Sequence, residues 1–212
     1  MVGFSGVKDG KGADGRDHLS RVVTSLRGRI VNPQPASAKD VLELTHLVVG
    51  LPLGRTPKLC AAISLPRVSI VSQEWLVACE TANSFVSPDA FVLKGEHSSS
   101  KDNELVWSFN ASDSRKAAAA SQCFAGRTFF ITANTKPPTA DLKTIVSVAG
   151  GTVLDRPPTA SSGEVVLVSI EEEKGQWRKL AQLPNVTALR ADHLLTCVLR
   201  QHLDLSNGRL GA

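Results

Sequence analysis

Two stretches of this chain repeat one pattern, and the repetition limits its fold more than any other feature. Leu19, Val22, Val23, Leu26 and Gly28 recur, position for position, as Leu142, Ile145, Val146, Ala149 and Gly151. Further along, Val68-Ser69-Ile70-Val71 is answered by Val186-Thr187-Ala188-Leu189. Trp75-Leu76-Val77-Ala78-Cys79 is answered by His193-Leu194-Leu195-Thr196-Cys197. Matching blocks in one order indicate an internal duplication. Each copy is small, so each is expected to bury a face against the other.

Periodicity gives the elements of a copy. Val2 to Val7 reads as a short strand, and a Gly- and Asp-rich loop runs from there to Gly15. The Leu19, Val22, Val23, Leu26 spacing is that of an amphipathic helix. Gly28 stands where a helix stop is expected. Arg29-Ile30-Val31 reads as a second strand closed by Asn32-Pro33, and Leu44 to Val49 as a third, wholly apolar one. A helix follows Thr56, then a strand over Val68–Val71 and a last helix capped by Ser72. The order is β-α-β-β-α-β-α, and strands apolar on both faces predict a parallel sheet covered by helices on each side. The boundaries expected are 1–93 for the first repeat, 94–122 for a linker, 123–206 for the second repeat and 207–212 for a tail. Within the linker, 95–102 reads as loop, 105–109 as an extended anchor with Trp107 and Phe109, and 112–121 as a helix.

The stretch Gly54-Arg55-Thr56-Pro57-Lys58 carries the clearest chemistry. Thr56 is placed to cap the helix that follows, and Pro57 fits its first position, where no amide donor is needed. Lys58 falls in the first turn, where a cation opposes the helix dipole unless an anion is bound. A threonine hydroxyl and an ammonium at a helix start make a phosphate site; an ordinary capped helix with a solvated lysine is the blander reading.

Other function classes find less support. The net charge of +4 is dispersed, and too small to indicate nucleic acid by itself. No window reaches the length of a membrane span, and no signal peptide is visible. The opening suggests a fragment of a longer protein. Cys60, Cys79, Cys123 and Cys197 are far apart and the five histidines are scattered, so no zinc spacing exists and no cofactor is expected. Unpaired, mostly apolar-flanked cysteines point to a reducing compartment. There is no dinucleotide or Walker glycine motif and no clear nucleophile–base pair. Glu171-Glu172-Glu173 reads as a charged loop, and the chain is not expected to be an enzyme.

Together these features resemble a tandem pair of BRCT domains. The resemblance rests on the β-α-β-β-α-β-α unit, the glycine after the first helix, the apolar third strand and Trp75 in the third helix. The second copy departs at His193, where the aromatic residue is expected. The family implies two repeats, each a four-stranded parallel sheet flanked by three helices, packed through helices across the repeat interface. In phosphopeptide-reading members a Ser-Gly at the end of the first strand, here Ser5-Gly6, grips phosphate with a Thr and a Lys, here Thr56 and Lys58. By that likeness Arg55 holds the peptide backbone or a carboxyl terminus. Cys60, Lys136, Pro137, Ala191 and Leu195 fall at the side-chain pocket between repeats, with Ala191 where an arginine is expected. The composition, rich in Ala, Ser and Val and free of tyrosine, also resembles the BRCT region of trypanosomatid kinetochore subunits.

The resemblance implies a module of a nuclear protein in chromosome maintenance, in DNA-damage signalling or at the kinetochore, that binds phosphoserine or phosphothreonine segments. As an isolated fragment it is expected to be a monomer without membrane contact. One phosphate site is expected, in repeat one, because the second copy has neither Ser-Gly nor Thr-x-Lys at the matching places. Rival readings are a DNA-binding pair using Arg16, Arg21, Arg27 and Arg29, and a phosphate-independent scaffold.

Overall fold

The computed structural model describes residues 1–10, 12, 15–31, 38–102 and 104–211. The chain forms, in order, β1 (Val2–Ser5), α1 (Arg16–Ser25), a 3-10 turn (Ala38–Glu43), β2 (His46–Val49), α2 (Pro57–Ile63), β3 (Ser69–Ser72) and α3 (Glu74–Ala82). A connecting segment holds β4 (Glu96–Lys101), β5 (Glu104–Asn110) and α4 (Ala111–Ala120). The second repeat runs through β6 (Thr128–Ile131), α5 (Thr139–Val148), β7 (Thr152–Val153), β8 (Val165–Ser169), α6 (Lys174–Leu180), β9 (Val186–Arg190) and α7 (Ala191–Arg200).

Both repeat sheets are parallel, ordered β1-β2-β3 and β7-β6-β8-β9. The fourth strand expected in repeat one is reduced to one residue, Ile30, bridging to Val2. Arg29 before it is exposed, so only a short edge contact forms, and the expected Asn32-Pro33 closure lies outside the described residues. The registers fix the correspondence between copies. Val2 faces His46 and Ile30, and Phe129 faces Val166 and Val153. Ser5 therefore corresponds to Thr132, and Val49 to Ser169.

Each sheet is covered on both faces, as a parallel sheet requires. One face of the first packs on Leu19, Val23, Trp75 and Leu76, and one face of the second on Trp177 and Leu210. The other faces share a single core, in which Leu59 and Ile63 of α2 meet Leu142 and Ile145 of α5 and Leu194 and Val198 of α7. The repeats thus pack through helices, α2 lying against α5 and α7.

Helix ends differ in detail from expectation. Gly28 is not the left-handed stop of α1; Arg27 is, at φ 61°. Gly28 is required by crowding instead, since a Cβ there would lie 2.7 Å from Phe85 Cζ and 2.8 Å from Val23 Cγ1. Ser72 does not cap α3: Gln73 holds that position without a side-chain cap bond. Residues 95–102, expected as loop, contain β4, which pairs antiparallel with β5. Trp107 and Phe109 are buried on one side of β5, and α4 is capped by Asn110, whose Oδ1 accepts from the Asp113 amide. The tail is also tied in: the Leu210 amide donates to the Ala188 carbonyl, as that of Leu93 does to Ile70 in the first copy.

Candidate functional site

The two motifs singled out in the sequence meet at one end of the first sheet. β1 ends at Ser5, β2 lies beside it, and the chain leaving β2 reaches Thr56. Ser5 Oγ and Thr56 Oγ1 are 2.5 Å apart, and Thr56 Oγ1 also accepts from the Leu59 amide at 3.2 Å. Gly6, exposed at φ +67°, turns the backbone away beside them. Gly50 allows that turn: a Cβ on it would stand 2.2 Å from the Gly6 carbonyl oxygen. Nothing in the repeat pattern distinguished Gly50; its signal is its place directly after the central strand.

Lys58 is not the solvated first-turn lysine that its sequence position suggests. Its side chain is 1% exposed, and Nζ lies 3.2 Å from Asp40 Oδ2, close enough for an ion pair but outside hydrogen-bond alignment. The counter-anion that the helix start called for is thus supplied within the chain. Asp40 belongs to the 3-10 turn, whose Ala38 amide donates to Asp141 Oδ1 of α5 at 2.8 Å.

Arg55 reaches across the repeats. Its Nη1 donates to the Asp192 carbonyl at 2.6 Å and to Thr196 Oγ1 at 2.9 Å, both on α7. The residues aligned with a side-chain pocket are brought together only in part. Cys60, Ala191 and Leu195 all lie in the shared core, closed rather than open to a ligand. Burial pushes the Cys60 thiol up to about 12, against a smaller opposing effect of Arg55. Lys136 is exposed and Pro137 half-buried. Lys136 instead lines a cleft with Ile170, Arg190 and Asp192, the last being the residue whose carbonyl Arg55 holds.

The departure at His193 leaves the repeat intact. Trp75 Nε1 donates to the Val86 carbonyl at 3.0 Å, eleven residues on. His193 Nε2 makes the same tether, to the Asp204 carbonyl at 3.1 Å and again eleven residues on. The arginines of the DNA-binding alternative are partly engaged: Arg16 lies 6.0 Å from the Phe4 ring centroid and Arg21 Nε donates to the Asp17 carbonyl. Among the described residues no cluster of metal-ligating side chains occurs, and no helix is long and apolar enough to cross a membrane.

Two parallel α/β repeats joined through α2, α5 and α7, with a hydroxyl pair at one sheet end, define a class of tandem α/β repeat domain. Residues 122–207 match the BRCT domain family model. The fold is that of the BRCT5-BRCT6 domains of S. pombe Brc1, with TM-score 0.61 and 19% identity over 99% of this chain and 96% of that one. Rtt107p in its complex with a phosphorylated histone shares the fold at TM-score 0.58 and 13% identity, over 99% and 91% of the two chains. Residues 122–207 belong to the BRCT domain family, and the chain as a whole has the fold of a tandem BRCT pair. It is 32% identical over 177 residues to PAX-interacting protein 1 of Bos taurus, covering 79% of this chain. It is 27% identical over 198 residues to mediator of DNA damage checkpoint protein 1 of Rattus norvegicus, covering 93% of this chain. The chain spans only 17% and 14% of the length of these two relatives.

Proposed function

We propose that this pair is a phosphopeptide-reading module, binding phosphoserine or phosphothreonine through repeat one, in a nuclear protein of the DNA-damage response. The observation that carries it is the contact between Ser5 and Thr56, whose hydroxyls come from motifs 51 residues apart and converge beside Gly6. Two hydroxyls and an exposed amide suit the oxygens of a phosphate monoester. Lys58 supplies the charge. Asp40 neutralises it in the unliganded chain, so phosphate competes with that carboxylate for the ammonium. Arg55, anchored on Asp192 and Thr196 of repeat two, is the residue assigned to the peptide backbone beyond the phosphate. The name of the checkpoint mediator and the complex of Rtt107p with a phosphorylated histone support this setting; the kinetochore setting has no such support. Recognition without catalysis is the reading throughout.

The test is binding of a degenerate phosphoserine peptide library and its unphosphorylated copy to wild type, Ser5→Ala and Lys58→Ala. Charge-assisted contacts predict a loss of about 10- to 100-fold for Lys58→Ala. The double variant Lys58→Met/Asp40→Asn removes the ammonium without leaving a buried carboxylate unmatched, and should lose binding equally. Binding indifferent to phosphate and to these residues would overturn the proposal. A steep fall of affinity with salt across unrelated DNA sequences would favour the nucleic-acid alternative instead.

A further inference from the structure

The strand registers make Thr132 the counterpart of Ser5 and Ser169 that of Val49. The helices that follow the central strands, α2 and α6, start at Pro57 and Lys174, with Thr56 and Glu173 in the preceding cap positions. Glu173 therefore stands in repeat two where Thr56 stands in repeat one. Its surroundings are those of a bound anion. Thr132 Oγ1 donates to Glu173 Oε2, and Ser169 Oγ lies 3.4 Å from the same oxygen. The Asn134 amide and its Nδ2 donate to Oε1 at 3.1 and 2.9 Å. Thr132 and Ser169 are 2% and 0% exposed, and Glu173 is 7% exposed.

We infer that repeat two holds an anion cradle equivalent to the phosphate site of repeat one but permanently filled by the Glu173 carboxylate, so that the pair takes one phosphate and takes it at repeat one. The likeness to a phosphate site rests on the function proposed above; the filled cradle is a matter of the contacts themselves. Three donors, the Thr132 hydroxyl, the Asn134 backbone amide and its carboxamide, hold one carboxylate, and Ser169 Oγ backs them 2.7 Å from Thr132 Oγ1. Such a group of buried donors needs an acceptor, and the chain provides its own. Ala133, at the place of Gly6, does not adopt the positive φ that Gly6 has, so here the amide of the next residue, Asn134, faces the anion. Glu171 and Glu172 lie exposed beside it, in a cleft that Lys136 and Arg190 also line.

The experiment removes the internal ligand and supplies inorganic phosphate in its place. It uses the full chain carrying Ser5→Ala, which silences repeat one, with and without Glu173→Ala. Melting is compared in sodium phosphate and in sodium chloride of equal ionic strength. Millimolar affinity predicts that tens of millimolar phosphate raises the midpoint of the Glu173→Ala chain about 3–5 °C more than that of its parent. The Asn134 amide resonance should move with phosphate only in that variant. Should the alanine variant not fold, Glu173→Thr, which introduces the residue type of Thr56, carries the same expectation. An equal response of both chains, or an unmoved Asn134 amide, overturns the inference. So does a wild-type chain that binds phosphoserine peptide at two sites. Failure of repeat one alone, seen as no peptide binding by wild type, leaves the Glu173 comparison readable.

Discussion

Arg115 offers the sharpest test of how the connecting segment supports the pair. From α4 its Nη1 donates to the carbonyls of Ala62, Ile63 and Leu65 at 3.1, 3.2 and 2.9 Å. Its Nη2 donates to those of Pro66 and Val68 at 3.0 and 2.8 Å. These carbonyls close the C-terminal end of α2, the helix that carries Thr56 and Lys58 at its other end. Burial lowers the guanidinium pKa, but so strong a base remains charged. Hydrogen bonds to a charged group are worth about 1.5–3 kcal/mol each when one is removed, but these five share four protons and some carbonyls regain water. Arg115→Ala should therefore cost about 3 kcal/mol, or about 6–12 °C in midpoint for a chain of this size. Urea unfolding measures it, followed by far-UV circular dichroism and by fluorescence from Trp75, Trp107 and Trp177, which report on repeat one, the connecting segment and repeat two. Arg115→Lys keeps the charge but not the fork, and should recover less than half of the loss. A cost below about 1 kcal/mol for alanine, or full recovery by lysine, would refute the argument that the fork ties α4 to α2.

Other perturbations follow from the same contacts. Asp40→Asn leaves the buried Lys58 charge without its partner and should cost about 3–5 kcal/mol, whereas Lys58→Met/Asp40→Asn should cost less than that single change; urea midpoints compare them. For Glu173, burial raises the carboxyl pKa, but bonds from Thr132, Asn134 and Ser169 together outweigh it, and the folded value lies below the usual one. Its contribution to stability is present above the unfolded carboxylate pKa and is lost as pH falls through the lower, folded value. Wild type should accordingly lose more stability than Glu173→Gln between about pH 5 and pH 2 in acid titrations. Gly50→Ala would press on the Gly6 carbonyl and should weaken phosphopeptide binding several-fold, while an alanine at the open Gly163 leaves it unchanged. Cys60, raised to about 12 and fully buried, should resist alkylation at pH 8 until urea unfolds the chain, as mass spectrometry would show.

The duplication, the parallel sheets and the meeting of Ser5 with Thr56 were legible because each depends on local periodicity or on neighbouring strands. The fate of Lys58 was not. Its partner Asp40 lies 18 residues earlier in a short turn that no periodicity marks, and only tertiary packing brings them together. β4 was hidden because Ser98, Ser99 and Ser100 carry no apolar alternation; its pairing with β5, where Trp107 and Phe109 are buried, makes it a strand. Glu173 looked like the last member of a charged run, since Glu171 and Glu172 are indeed exposed. What sets it apart is the cap position that α6 gives it, seen once the repeat registers are laid side by side. The expected pocket residues Cys60, Ala191 and Leu195 align with the family pattern in sequence, yet their small or apolar side chains are absorbed by the core between repeats.

Arg55 belongs to repeat one by sequence and to repeat two by its bonds. The turn that carries Asp40 is likewise pinned through Ala38 to Asp141 of α5. During synthesis, then, the first repeat leaves the ribosome before two of its anchors exist. Arg55 and the Asp40 turn gain these partners only when α5 and α7 have emerged. A chain cut short after α4 would keep the Ser5–Thr56 contact and lose the bonds that hold Arg55 and, through the turn of Asp40, the partner of Lys58.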